Sequence, residues 1–243
     1  MLLACDYLIK FYNSCSIFVM LSILFGVQMA IKMPKRTPEE IRVAMIRHGT
    51  VPQLIEKAPE HAVEVAYGEK IVDFGNNLTD VDMKNEPTHV NWPAEKDSLY
   101  TLMLIGPDVP TYEYPDDKEC QHWIVANIRG SDIKTGYHLS EYVGLIPFYE
   151  YGPHRLFFFV FKQALKDVPL KFEKDEYRPK RIIGYMRGFF EFKPFAAKYR
   201  LGEPIAANFF LVQINPYPFN LTNFPIDSDG LSSRFKPYLN HTI

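Results

Sequence analysis

A chain of 243 residues, 47% hydrophobic and 15% aromatic, is long enough for one domain with a buried core plus appendages and too apolar to stay disordered. Its 27 basic and 29 acidic residues leave a formal charge of −2, which provides no basic field for a phosphate backbone and excludes general nucleic-acid binding. Of three cysteines, Cys5 and Cys15 lie near the N-terminus and only Cys120 in the body, which excludes an internal disulfide framework.

In chain order, the first element is a hydrophobic leader over residues 1–33. No charge occurs from Phe11 to Ile31, Ile17 to Val27 is almost wholly apolar, and Lys10 and Lys32 flank the run. The apolar core has the length of a signal-peptide h-region, and the weakly polar flanks extend it to the minimum for a tilted anchor. Gly26 and Ala30 are the candidate residues before a cut, and Met33 is an alternative start. The leader points to the secretory route, with secretion or peripheral membrane association, against a cytoplasmic alternative. Sequons at Asn77, Asn220 and Asn240 matter only on that route.

Thr37-Pro38-Glu39-Glu40 before Ile41, Met45 and Ile46 predicts a short capped helix, with proline in its first turn and acids at its positive end. His61 to Tyr67 alternates at period two and reads as a strand. Tyr100 to Ile105, Trp123 to Ile128, Arg155 to Phe161 and Phe209 to Ile214 are short apolar runs rich in β-branched and aromatic residues, closed by turn residues. They predict central strands. The fold class is therefore all-β or mainly β with marginal helices: a domain over 34–215, followed by a proline-rich tail over 216–243.

Candidate chemistry centres on two histidines that precede the strongest strands at equivalent points. His122 and His154 either offer two hydrogen-bond donors to one anion or simply cap their strands. Asp108 stands in Gly106-Pro107-Asp108-Val109-Pro110, a loop stiffened by two prolines. It either orients a partner or, the better-founded reading, bonds the backbone of its own turn. Arg155 faces the opposite side of its strand from His154 and is expected to pair with a carboxylate. Cys120 lies two residues from His122, but nothing in the chain supplies an orienting third group or an oxyanion hole. Nucleophile elbow, phosphate loop and zinc spacing are all missing, so no enzyme activity, cofactor or metal is expected.

These residues also carry a resemblance. Trp92-Pro93-Ala94 through Pro110, then Glu119-Cys120-Gln121-His122-Trp123 through Gly130, then Tyr142-Val143-Gly144, then Gly152-Pro153-His154-Arg155, resemble in order and spacing the signatures of the phosphatidylethanolamine-binding protein family. The resemblance implies packed antiparallel sheets and a small cavity for a phosphate-like anion or phospholipid headgroup. His122 and His154 match its pocket histidines. Asp108 and Pro110 match the second aspartate and closing proline of its loop, and Pro147 matches a cavity-wall proline. Four positions depart from it. Gly106 replaces the ligand-contacting aspartate, Cys120 a wall tryptophan, Ile146 a glycine and Leu156 a tyrosine. The resemblance thus implies a non-enzymatic binding protein with weak or altered headgroup binding. Its alternative is a protein-interaction regulator, of the kinase-modulating or serine-protease-inhibiting kind, with a degenerate pocket.

Overall fold

The computed structural model describes residues 32–109, 119–145, 152–181 and 187–214. Leader residues 1–31, Pro110, Ile146, Pro147, the tail over 216–243 and with it the sequons at Asn220 and Asn240 lie outside them.

Helix α1 spans Pro38–Arg47. Thr37 caps it, its side chain accepting from the Glu40 N–H while the Glu40 carboxylate accepts from the Thr37 N–H, so two otherwise orphaned donors are satisfied. Ile41 and Met45 face inward. A one-turn helix, α2 (Thr50–Gln53), follows, with a cis Val51–Pro52 bond.

The strands are β1 (His61–Ala62), β2 (Glu64–Tyr67), β3 (Lys70–Ile71), β4 (Asn76–Leu78), β5 (His89–Asn91), β6 (Leu99–Gly106), β7 (Cys120–Arg129), β8 (Tyr137–Ser140), β9 (Gly152–Lys162) and β10 (Ala206–Ile214), with helix α3 (Phe192–Lys198) before the last. A seven-stranded sheet runs β1-β10-β9-β6-β7-β8, with β4 also paired to β10, and a three-stranded sheet runs β3-β2-β5. The larger sheet is mixed rather than wholly antiparallel, because β1 and β4 both lie parallel to β10. The alternating run His61 to Tyr67 is two strands, not one. Val63 is the crossing point, held by its N–H to the Ala207 carbonyl and by the Asn208 amide to its own carbonyl, so β1 joins the large sheet and β2 the small one.

Both faces of the large sheet are covered, which explains why its central strands read as continuous apolar runs. Leu102, Leu104, Phe158, Val160 and Phe210 pack against Val65, Tyr67 and Trp92 on the small-sheet side. Met103, Ile105, Phe157, Phe159 and Phe209 pack against Ile41, Met45, Phe192 and Phe195 on the helix side. The Phe157, Phe158, Phe159 and Phe161 run is core on alternating faces.

Candidate functional site

Three strands meet at one end of the large sheet: β6 finishes at Gly106, and β7 and β9 begin at Cys120 and Gly152, both antiparallel to β6. His122 and His154 therefore stand on the strands flanking the one that carries Gly106. Strand alternation puts His154 on the small-sheet face with Leu156 and Phe158, and Gly106 on that face with Leu104. Both histidines are buried.

A bulge aims the first of them. Ile105 pairs with Gln121 but Leu104 pairs with Trp123, so His122 is the extra residue on β7. Its ring lies over Gly106. A Cβ built on Gly106 would sit 2.9 Å from His122 Nε2, closer than such contacts occur, so the imidazole stands here only because residue 106 has no side chain. On the far side of the ring, Nδ1 is 3.0 Å from the Gly144 carbonyl oxygen. That oxygen can only accept, so Nδ1 carries the proton and Nε2 is the acceptor of the neutral ring. Two donors to an anion, one from each histidine, thus require His122 as the imidazolium.

Gly144 is itself tightly placed, since a Cβ there would lie 2.7 Å from the Met83 carbonyl oxygen. The same oxygen accepts the Tyr142 hydroxyl at 2.6 Å, and the Tyr142 oxygen in turn accepts from the Tyr67 hydroxyl at 3.2 Å. Burial pushes both phenols above the usual tyrosine range.

Asp108 behaves differently from the own-turn reading. Its carboxylate accepts from the Arg155 backbone N–H at 2.9 Å, from Arg155 Nε at 2.9 Å and from Nη2 at 2.6 Å. This is a bidentate ion pair with 9% and 1% of the two side chains exposed. Arg155 also donates from Nη1 to the His48 carbonyl and from Nη2 to Gln53, which ties the strand to the α1–α2 corner on the helix side. The carboxylate that the sequence offers as a ligand group is committed to an arginine on the neighbouring strand.

The residue that sequence reasoning missed is Arg187. Fully buried, its guanidinium donates to the carbonyls of Gln121 (3.0 Å), His122 (3.4 Å), Glu141 (2.8 Å) and Lys180 and to the Ser140 hydroxyl (3.1 Å). Burial lowers its pKa from the usual arginine value. A lone cation inside the apolar run from Ile182 to Phe190 is the one signal that could have marked it. Cys120 is a free thiol with no exposed surface, an environment that keeps a cysteine inert. Among the described residues, no group of three or more histidine, cysteine or acidic side chains is placed to hold a metal. A separate cleft of about 340 Å³ opens on the helix side, lined by Leu54, Phe161, Phe192, Ala196, Arg200 and Glu203 among others, and shares no lining residue with the histidine cluster.

The fold and this cluster define a mainly-β domain with paired histidines at the end of a mixed central sheet. The family model described as phosphatidylethanolamine-binding protein matches residues 63–210, and the chain belongs to that family. It is 29% identical over 180 residues to the Drosophila melanogaster protein named "Putative odorant-binding protein A5", covering 74% of this chain and 83% of that one. It is 33% identical over 173 residues to the "26 kDa secreted antigen" of Toxocara canis, covering 69% of this chain and 62% of the antigen. Among solved structures, the carboxypeptidase Y inhibitor, in complex with its cognate proteinase, shares the fold at a TM-score of 0.60 and 23% identity, covering 77% of this chain and 99% of the inhibitor.

Proposed function

We propose that this chain is a non-enzymatic binding protein that receives a phosphate-like anion, free or as a phospholipid headgroup, between His122 and His154. One observation carries the reading: the His122 ring is held by the Gly144 carbonyl with its other nitrogen over Gly106, on the same end and face of the sheet as His154. The loop aspartate that the family resemblance places at 106 is a glycine here, and Asp108 pairs with Arg155, so the reading draws on the two histidines. The anion is met by the two histidine rings with no carboxylate at 106 beside them. Affinity is accordingly weak.

Entry into the secretory route is part of the proposal, with 1–33 as its signal peptide or anchor. The Toxocara relative's name, a secreted antigen, supports it. Among the described residues no helix is long and apolar enough to cross a membrane. Asn77, the one sequon inside them, is exposed on β4 and open to a glycan.

The test is a titration of the full chain with inorganic phosphate and with phosphoethanolamine, following the histidine ring resonances. Saturable shifts at His122 and His154, removed by His122→Ala or His154→Ala, are expected, and phosphoethanolamine binding more tightly than phosphate marks a headgroup site. Unmoved rings at millimolar ligand would sink the binding reading and leave the domain as a scaffold for protein contacts.

A further inference from the structure

A β-bulge leaves main-chain groups out of register with the neighbouring strand, and in β7 the bulge falls on Gln121 and His122. The carbonyls at this bulge are served from outside the ladder. His122 O accepts from the Val143 N–H at 2.9 Å, and both Gln121 O and His122 O accept from Arg187 Nη1. The other side of the same guanidinium holds Glu141 O and Lys180 O, while the Glu141 carboxylate accepts from the Arg181 N–H at 2.8 Å. One buried cation thus ties the strand carrying His122 to the segment that runs from Ser140 to Gly144. That segment supplies the carbonyl on which the His122 ring depends.

A charge in such a place costs desolvation and is retained only where it is fully solvated by acceptors. A planar fork with five N–H donors can join acceptors on three segments at once, which a lysine ammonium, a single nitrogen on a flexible stem, cannot do. We infer that Arg187 is a positioning residue for His122: by clamping the bulge to residues 140–141 it fixes the Nδ1–H to Gly144 O bond, and with it the tautomer and the aim of Nε2 over Gly106. The inference rests on His122 being the ligand-contacting group, but its first readout needs no ligand.

The experiment records ring ¹⁵N shifts of His122 in the full chain. The native protein shows the Nδ1–H tautomer. Arg187→Lys moves both ring nitrogens toward tautomer-averaged values and weakens phosphate binding by about tenfold, the low end of what the loss of an orienting partner costs at ligand-bound histidines in metal sites. If Arg187→Lys does not fold, Ser140→Ala, which removes one acceptor and leaves the cation in place, decides the matter through a smaller shift of the same sign. Ile41→Val, which loosens the helix-side core instead, leaves the His122 signals where they are. Unchanged His122 shifts in Arg187→Lys or Ser140→Ala would overturn the inference, as would the same movement in Ile41→Val. Tautomer loss in Arg187→Lys beside a native protein that binds no phosphate supports the clamp while defeating the binding reading.

Discussion

Gly106, the last residue of β6, and Asp108, two residues on, do opposite work. Asp108 sends its carboxylate to the helix side, where three N–H groups of Arg155 hold it and the arginine reaches on to the α1–α2 corner. Gly106 presents nothing, and the His122 ring fills the room above it. Asp108 is a structural joint, its carboxylate paired with Arg155. Gly106 is instead the opening that the His122 ring occupies.

The largest effect should come from breaking the joint. Asp108→Ala strands a buried guanidinium, and the loss of stability expected in urea unfolding is about 3–5 kcal/mol, as for other buried pairs with one partner removed. A loss below 1 kcal/mol would mean that the pair contributes little and would erase the contrast with Gly106. Gly106→Ala comes next. It should cost about 1–3 kcal/mol through overpacking and displace the His122 ring signals. In a His122→Ala background the same change should be nearly free, a coupling of about 1 kcal/mol or more in the double-mutant cycle, because the ring it meets is gone.

Tyr142→Phe sharpens the histidine side of the comparison. Removing its hydroxyl leaves the Met83 carbonyl without that donor and should cost about 1–2 kcal/mol. Both buried phenols are raised, so the folded chain keeps protons that the unfolded chain releases above about pH 10, and stability declines there as pH rises. Thermal melts of Tyr142→Phe should show a shallower alkaline decline than the native chain.

The smallest effect belongs to the joint's far end. His48 is held below the usual histidine range by burial first and then by the nearby Arg155 and Arg47. Below about pH 6.5 the unfolded chain therefore binds a proton that the folded chain refuses, and stability falls as pH falls through that window. Replacing His48 with glutamine should flatten part of this acid loss. An unchanged slope between pH 7 and 5 would show that the His48 ring does not report on the Arg155 end.

Local pattern and long-range contact were unequally legible. The strands β6, β7, β9 and β10 announce themselves because they are buried on both faces and so carry unbroken apolar runs, and α1 because its capping box lies within four residues. Strands β3, β4, β5 and β8 span two to four residues each and exist through pairing with distant segments, which leaves no period to count. Helix α3 was likewise unread, being seven residues long with Pro194 inside its first turn. At the site, the spacing of His122 and His154 singled them out as a pair, and strand alternation placed Arg155 on the opposite face from His154. Asp108 was read toward its own turn because Asx turns are common and its real partner lies 47 residues on.

By itself, then, the sequence determined a mainly-β body, its central strands, the family its motifs resemble, two candidate histidines and the absence of a carboxylate at 106. These follow from residue type and short spacing. The tertiary structure alone decided that Asp108 is consumed by Arg155, that Gly106 makes room for an imidazole, that Gly144 sets its tautomer, and that Arg187 binds the parts together. Each of these depends on atoms brought within about 3 Å by the pairing and packing of distant segments, a contact range in which sequence neighbours carry no information.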